Sequence, residues 1–426
     1  MTEPSIADLR AARQELDDVI REIQQVPGFE DFLAAPGFPD IARAAADQPL
    51  VYLAAADEGG FALVVRGSGV TPVELPLLTS AKVHELVEKY RRCVERIRRD
   101  GRNQEFRKEW RGFLDDATQW LWDAAMGDVL SGLGQAAETT LVPCGQLGLL
   151  PLHAAWTADE AAVTGRRHAI DTVAFAYSAN ARARETCRRR AADRSAERIL
   201  AVADPRSTGA GLEDTQAEAV IAAQSCPQHE VLKGEQVTVA ELERGLAVAD
   251  VLHFGGHGRA HLTAPLTSYL LLADGARLSL EQILRMRLET RLAVLSACQT
   301  AVLGIDLPDE VVNLPTGLVQ AGVAGVLATM WGVGQHASAL LTATFYRHWQ
   351  GGSPAVALAR AQRWLRDATV GELEEDWAQA MTAGEKWLPA EAGEHLLARM
   401  LDLHEDIDER PWSAIDAWAA FAFTGA

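Results

Sequence analysis

Apolar residues in the first 25 positions fall at Ile6, Leu9, Leu16, Ile20 and Ile23. The spacings of 3, 7, 4 and 3 place them on one side of a helix, and Ser5-Ile6-Ala7-Asp8 reads as a capping-box-like start. An amphipathic helix is therefore predicted over 5–25, ending before Pro27-Gly28. Short alternating runs follow at Leu50–Ala54, Phe61–Arg66 and Val70–Leu75, punctuated by Gly59-Gly60 and Gly67, and predict a meander of strands. Helical periodicity returns with Val83, Leu86, Val87, Tyr90, Val94 and Ile97. A second helix carries Trp110, Phe113, Trp120 and Leu121, and Thr139–Val142 reads as a strand closed by Pro143-Cys144-Gly145. These patterns group 1–180 as one α+β unit.

Past a basic connector at 181–198 the grammar changes. Continuous apolar runs at Ile199–Ala203, Ala249–Phe254, Arg291–Ala297 and Gly325–Trp331 alternate with helical patterns at 214–224, 238–247, 279–286, 316–321, 336–349 and 353–368. Such alternation predicts a mostly parallel sheet covered by helices on both faces, because strands buried on both sides read as unbroken apolar runs. Trp418–Phe423 reads as a closing strand, so 199–426 is expected to form one α/β domain.

Composition narrows the function classes. The 426 residues carry 59 acidic and 40 basic side chains, net −19, which argues against a protein that tracks nucleic-acid phosphates. Residues 371–410 hold twelve acidic and three basic residues, net −9, and read as an acidic insertion on the surface. Basic clusters at 82–109 and 182–198 offset it, the second including Arg188-Arg189-Arg190; both read as solvated surface. The five cysteines show no CxxC spacing, which suggests neither a zinc site nor a disulfide framework. No run approaches a membrane span, and a cytoplasmic protein without metal or cofactor is expected.

In a parallel sheet, ligands bind beyond the carboxyl ends of the strands. After Val251–Phe254 comes Gly255-Gly256-His257-Gly258, and after Leu292–Leu295 comes Ser296-Ala297-Cys298-Gln299-Thr300. A histidine and a cysteine 41 positions apart therefore meet one edge of the sheet. A neighbouring imidazole makes a thiol a competent nucleophile, and the Gly258 and Cys298 amides are placed to meet a developing oxyanion. Taken singly, the cysteine could be a small core residue and the histidine a turn residue. Their pairing favours the dyad.

These segments, with Leu318–Gly322, Trp331-Gly332-Val333, Phe345-Tyr346 and Trp418–Phe421, resemble the CHAT family, caspase-like peptidases first named for association with HetF and tetratricopeptide repeats. The resemblance reaches back through Leu141-Val142-Pro143 and Leu150–Ala155. It implies a caspase-like sheet preceded by a non-catalytic, pseudo-caspase-like α/β domain. It also implies a cysteine endopeptidase whose nucleophile is Cys298 and whose acid/base is His257. No third catalytic residue is implied. A protein substrate, in a bacterial defence or programmed-death setting, follows from the resemblance, with a gasdermin-like or other neighbouring-gene effector as one candidate. An activator or repeat-containing regulator is implied too. No tetratricopeptide repeats precede the matching region, which suggests a short or trimmed member. The family's acidic residue after Trp-x-Val is missing, since Gly334-Gln335-His336 follows Val333.

Two acidic positions are weighed as substrate contacts. Asp204 follows the first strand of the catalytic sheet and either pairs with a basic P1 side chain or starts a turn with Pro205. Glu310, with Asp306 and Asp309, lies in the loop after the nucleophile. A catalytically silent caspase-like scaffold is the alternative reading of the whole chain.

Overall fold

The alternating runs become one large sheet in the computed structural model, which describes residues 6–27, 29, 37–100, 103–203, 213–261, 264–297 and 313–426. The strands are β1 (Leu50–Ala54), β2 (Gly60–Arg66), β3 (Gly69–Leu75), β4 (Glu138–Pro143), β5 (Trp156–Ala158), β6 (Arg166–His168), β7 (Ala174–Tyr177), β8 (Arg198–Ala203), β9 (Gln228–Lys233), β10 (Val251–Arg259), β11 (Tyr269–Leu271), β12 (Arg277–Ser279), β13 (Leu292–Ala297), β14 (Gly325–Thr329) and β15 (Phe421–Gly425). Among the described residues thirteen of them form one sheet, while β5 and β6 make a separate hairpin. Residues 1–41 and 42–426 are distinct compact units. The first contains the helix Ile6–Gln24 expected from its periodicity.

Two parallel blocks make up the large sheet. Strands β9, β8, β10, β13 and β14 run one way. Strands β15, β7, β4 and β1 run the other, because β15 pairs antiparallel with β14 and parallel with β7. Segments from both halves of the chain thus share one hydrogen-bonded surface. The strands of the first block are buried throughout, as the unbroken apolar runs required: Val251, Leu252, Leu292, Val294, Val326 and Leu327 are at most 2% exposed.

Several elements differ from the sequence reading. Strand β10 does not stop at Phe254 but runs on through Gly255-Gly256-His257-Gly258-Arg259. Beyond Gly256 its partner becomes β11, with His257 opposite Leu271 and Gly258 opposite Leu270. Residues without strand propensity are held extended by this hairpin. At the C-terminus, Ile415–Trp418 is a short helix, and β15 begins only at Phe421. Gln362 Nε2 donates to the carbonyls of both Trp418 and Phe421, at 3.2 and 2.9 Å, across the bend between them.

The basic connector contains a docked helix, Ala181–Ala192, capped by the Asn180 side chain on the Ala183 amide at 2.8 Å. Its Arg184 is 1% exposed. That guanidinium donates to Thr140 Oγ1 and Gln48 Oε1, at 3.1 and 3.0 Å, and to the Ala44 carbonyl. From the same segment Arg190 and Arg194 reach the last carbonyls of the helix Leu314–Ala321, at Val319 and Gly322, both at 2.6 Å. Val319 also accepts from the Gly322 amide at 3.2 Å, and cationic donors at this end of the helix interact favourably with its dipole. That helix ends because Gly322 has φ +127°, where a Cβ would lie 1.9 Å from the Leu288 carbonyl oxygen.

The acidic segment forms two helices, Val370–Thr382 and Ala390–Leu403. Leu373, Trp377, Ala380, Leu388, Leu396 and Met400 are buried and belong to the main core. Ten of its twelve acids are exposed: Glu372, Glu375, Glu385, Glu391, Glu394, Asp402, Glu405, Asp406, Asp408 and Glu409.

Candidate active site

Strands β10 and β13 lie side by side in register, from Val251 opposite Leu292 to Gly256 opposite Ala297. His257 follows the last paired residue of one strand, and Cys298 follows that of the other. His257 is half-buried at the carboxyl edge of the sheet. Cys298, Asp204, Asp306, Asp309 and Glu310 lie outside the described residues. Gly258 stands beside His257, opposite Leu270 of β11.

Alternation along a strand sends His253, Gly255 and His257 to one face, and in a parallel ladder Ser296 points the same way as its partner Gly255. Beneath His257 that face is covered by the helices Glu213–Ala223 and Gln335–His348. The result is a buried polar cluster. Ser296 Oγ and Ser338 Oγ are 2.8 Å apart. Thr342 Oγ1 donates to Glu218 Oε1 at 2.6 Å. His253 Nδ1 lies 3.1 Å from the Tyr346 hydroxyl, and its Nε2 lies 3.6 Å from Glu218 Oε1. Room for the cluster depends on Gly255, whose added Cβ would sit 3.2 Å from the Val202 carbonyl oxygen and 3.5 Å from His253 Nε2.

Burial sets the charge states here. Desolvation pushes the Glu218 carboxyl up to about 7, against the lowering effect of bonds from Thr342 and Ser296, and the nearby Asp214 adds to the rise. Desolvation also depresses His253 to about 3, so its imidazole is neutral at physiological pH. One helical turn before Glu218, burial would likewise raise Asp214, but bonds from His336 and His395 and the charge of Arg399 bring it below the ordinary aspartate value. The bond from His395 Nε2 is 3.0 Å and that from Arg399 Nε 2.9 Å, both from the helix Ala390–Leu403.

His253 is fully buried, and sequence reasoning passed over Asp214 and Glu218. The available signal was two acids at i and i+4 in the helix Glu213–Ala223, among Ala217, Ala219, Ile221 and Ala222. Acids inside an otherwise apolar helix point to buried partners. Trp331 of the Trp-x-Val segment is fully buried, donates from Nε1 to the Asp416 carbonyl at 3.0 Å, and meets Trp110 edge-on. The helix that follows starts at Gly334 without a side-chain cap, and a carboxylate reaches its first turn from elsewhere: Asp214 Oδ2 lies 3.6 Å from His336 Nδ1.

A cleft of about 350 Å³ lies between Ala181–Ala192 and Leu314–Ala321, lined by Asn180, Arg182, Arg190, Thr316 and Gln320. It does not touch His257. Among the described residues no group of His, Cys, Asp or Glu is arranged to hold a metal ion, and no helix is long and apolar enough to cross a membrane.

No curated protein sequence matches the chain. Among solved structures, separase from Saccharomyces cerevisiae in complex with securin overlays with a TM-score of 0.54 at 10% identity, covering 76% of this chain and 29% of the separase. The chain thus spans under a third of that protein's length. The Arg-specific cysteine proteinase gingipain R gives a TM-score of 0.37 at 9% identity, over 74% of this chain and 67% of its own. The separase likeness is one of fold, a mostly parallel caspase-like sheet between helices. The CHAT domain model matches residues 115–426, from the helix bearing Trp120 through β15; the chain belongs to the CHAT domain family, caspase-like cysteine peptidases.

Proposed function

We propose that the protein is a cysteine endopeptidase working through a Cys298–His257 dyad. The observation that carries this reading is the register of β10 and β13, whose last paired residues, Gly256 and Ala297, are followed directly by His257 and Cys298. In the proposed reaction His257 takes the Cys298 proton, and the thiolate attacks the scissile carbonyl. The Gly258 and Cys298 amides hold the oxyanion, and the C–N bond breaks as His257 gives its proton to the leaving amine. Water then hydrolyses the thioester and restores the thiol. Asp204 is proposed to receive a basic P1 side chain and Glu310 to line the same pocket.

The substrate class proposed is one or a few protein partners in a regulated defence or cell-death system, with a gasdermin-like or other neighbouring-gene effector first in line. The separase structure, solved with securin bound, supports a protein partner. The test incubates wild type and Cys298→Ala with the proteins encoded beside this one. Cleavage by wild type alone is expected, and equal cleavage by both would remove the assignment. A thiol probe separates the peptidase from a silent scaffold. Burial raises Cys93, and pushes Cys187 and Cys226 up to about 11, so these stay unreactive. Exposed Cys144 serves as the reference. At neutral pH Cys298 should react at least about ten times faster than Cys144 if an imidazole activates it; equal rates favour the scaffold.

A further inference from the structure

In the polar cluster beneath the two strand ends, His253 Nε2, buried and without a hydrogen-bond partner, lies 3.6 Å from Glu218 Oε1. A buried acceptor left unpaired is costly, so an orphaned ring nitrogen facing a buried carboxyl asks for a proton between them. We propose that Glu218 is a positioning residue which, in its neutral form, donates its carboxyl proton to His253 Nε2 and thereby holds the Ser296 end of β13 against β10. The proposal rests on the peptidase reading, because Ser296 is two residues ahead of Cys298 and His253 four residues ahead of His257.

The tautomers agree with this arrangement. If Nε2 of His253 accepts, Nδ1 carries the hydrogen and donates to the Tyr346 hydroxyl 3.1 Å away. Oε1, the carboxyl oxygen facing Nε2, bears the proton and also accepts from Thr342. Thr342 Oγ1, which bonds the carboxyl, also lies 2.5 Å from the Ser338 carbonyl oxygen, and Ser338 Oγ meets Ser296 Oγ of β13 at 2.8 Å, so the carboxyl is tied to β13 as well as to His253 of β10. Burial favours the neutral acid up to about pH 7. The groups facing Glu218 act in the same sense or are satisfied elsewhere. Asp214 on its own helix opposes a second negative charge, His253 is neutral, and the Tyr346 hydroxyl stays protonated. His336, His395 and Arg399 face Asp214 instead. Above pH 7 an ionised Glu218 has no proton for His253, and the joint between the strands loosens.

The experiment follows alkylation of Cys298 by iodoacetamide across the pH range in the full chain, with the infrared carboxylic-acid C=O band recorded on the same samples. The wild-type rate should rise as the thiol ionises and then drop above about pH 7. Glu218→Gln, which keeps a donor toward His253, should retain the rate at the acid end and lose the drop. Glu218→Ala should be slower at every pH, by about ten- to a hundred-fold if the strand ends shift by an ångström. Thr342→Val removes a bond that favours the ionised carboxylate, so it should move the drop to higher pH. In the wild type the C=O band should persist to about pH 7 and then bleach; it should be missing in Glu218→Gln. Superimposable wild-type and Glu218→Gln profiles overturn the proposal, and so does a Gln variant as slow as the Ala variant. If Glu218→Gln does not fold, an unmoved Thr342→Val limb, or no C=O band at pH 6, overturns it equally. A wild-type Cys298 no faster than Cys144 removes the peptidase reading instead, while the infrared band still reports on the shared proton.

Discussion

Asp214 and Glu218 sit one turn apart on one helix, 2% and 1% exposed, with carboxyl groups shifted in opposite directions. Burial pushes both upward, and the difference lies in the partners. Asp214 faces a guanidinium and two imidazoles, whereas Glu218 faces hydroxyls and a neutral ring. The consequences for stability have opposite signs. The lowered Asp214 contributes stability that is present above its unfolded value of 3.8 and disappears as pH falls through the folded value. Glu218 holds its proton in the fold to about pH 7 but releases it near 4.5 when unfolded, so the fold loses stability as pH rises between them. Asp214→Asn should cost about 1–3 kcal/mol at pH 7, with the deficit shrinking below pH 3.8. Glu218→Gln should gain on wild type as pH climbs from 4.5 to 7. Urea midpoints of the three proteins across pH decide both, and parallel curves would refute the assigned charge states.

At the scale of elements, the connector helix shows how a basic run becomes structure. Seven basic residues between Arg182 and Arg198 offer many trypsin sites by sequence, yet Arg184 and Cys187 are buried and Arg190 and Arg194 hold carbonyls of another helix. Proteolysis needs several residues of extended chain, so this helix must first unfold locally. Native protein should resist trypsin at 182–198. The Arg190→Gln/Arg194→Gln double variant should be cut there first; rapid cleavage of wild type at the same place would contradict the docked arrangement. The parallel strands β8, β10, β13 and β14 were legible because burial on both faces demands continuous apolar runs. The extension of β10 was not, since Gly255-Gly256-His257-Gly258 carries no strand signal and is extended only by its ladder with β11. The position of His257 at the carboxyl edge of the sheet was legible from the apolar run before it. Glu218 was not, because its meaning comes from a strand and a second helix distant in sequence.

For the whole molecule, the question is what the acidic segment 371–410 does. Its exposed acids lie on the outer side of two helices and in the turns at Glu385 and 405–409, while the inner side contributes to the core: Trp377 is 2% exposed, stacks at 6.5 Å on Trp364, and meets Trp387 edge-on at 6.0 Å. The helix Ala390–Leu403 also reaches the site, because its His395 and Arg399 fix Asp214, one turn ahead of Glu218. Charge and fold are thus separable here, though the segment itself is not. Replacing exposed Glu394, Asp402, Glu405 and Asp408 by their amides removes four negative charges from a chain of net −19. None of the four side chains is buried, so each change should alter stability by no more than about 0.5 kcal/mol, and the rate of Cys298 alkylation should stay at the wild-type value. Trp377→Ala opens a cavity in the shared core and should cost about 3–5 kcal/mol. Deleting 371–410 removes Leu373, Leu396 and Met400 with it, and should abolish cooperative unfolding. Urea titration of the tetra-amide, Trp377→Ala and deletion proteins tests the separation. A folded, cooperatively melting deletion protein would show the segment to be an appendage. A tetra-amide protein with slowed Cys298 would show that the surface charge itself acts on the site.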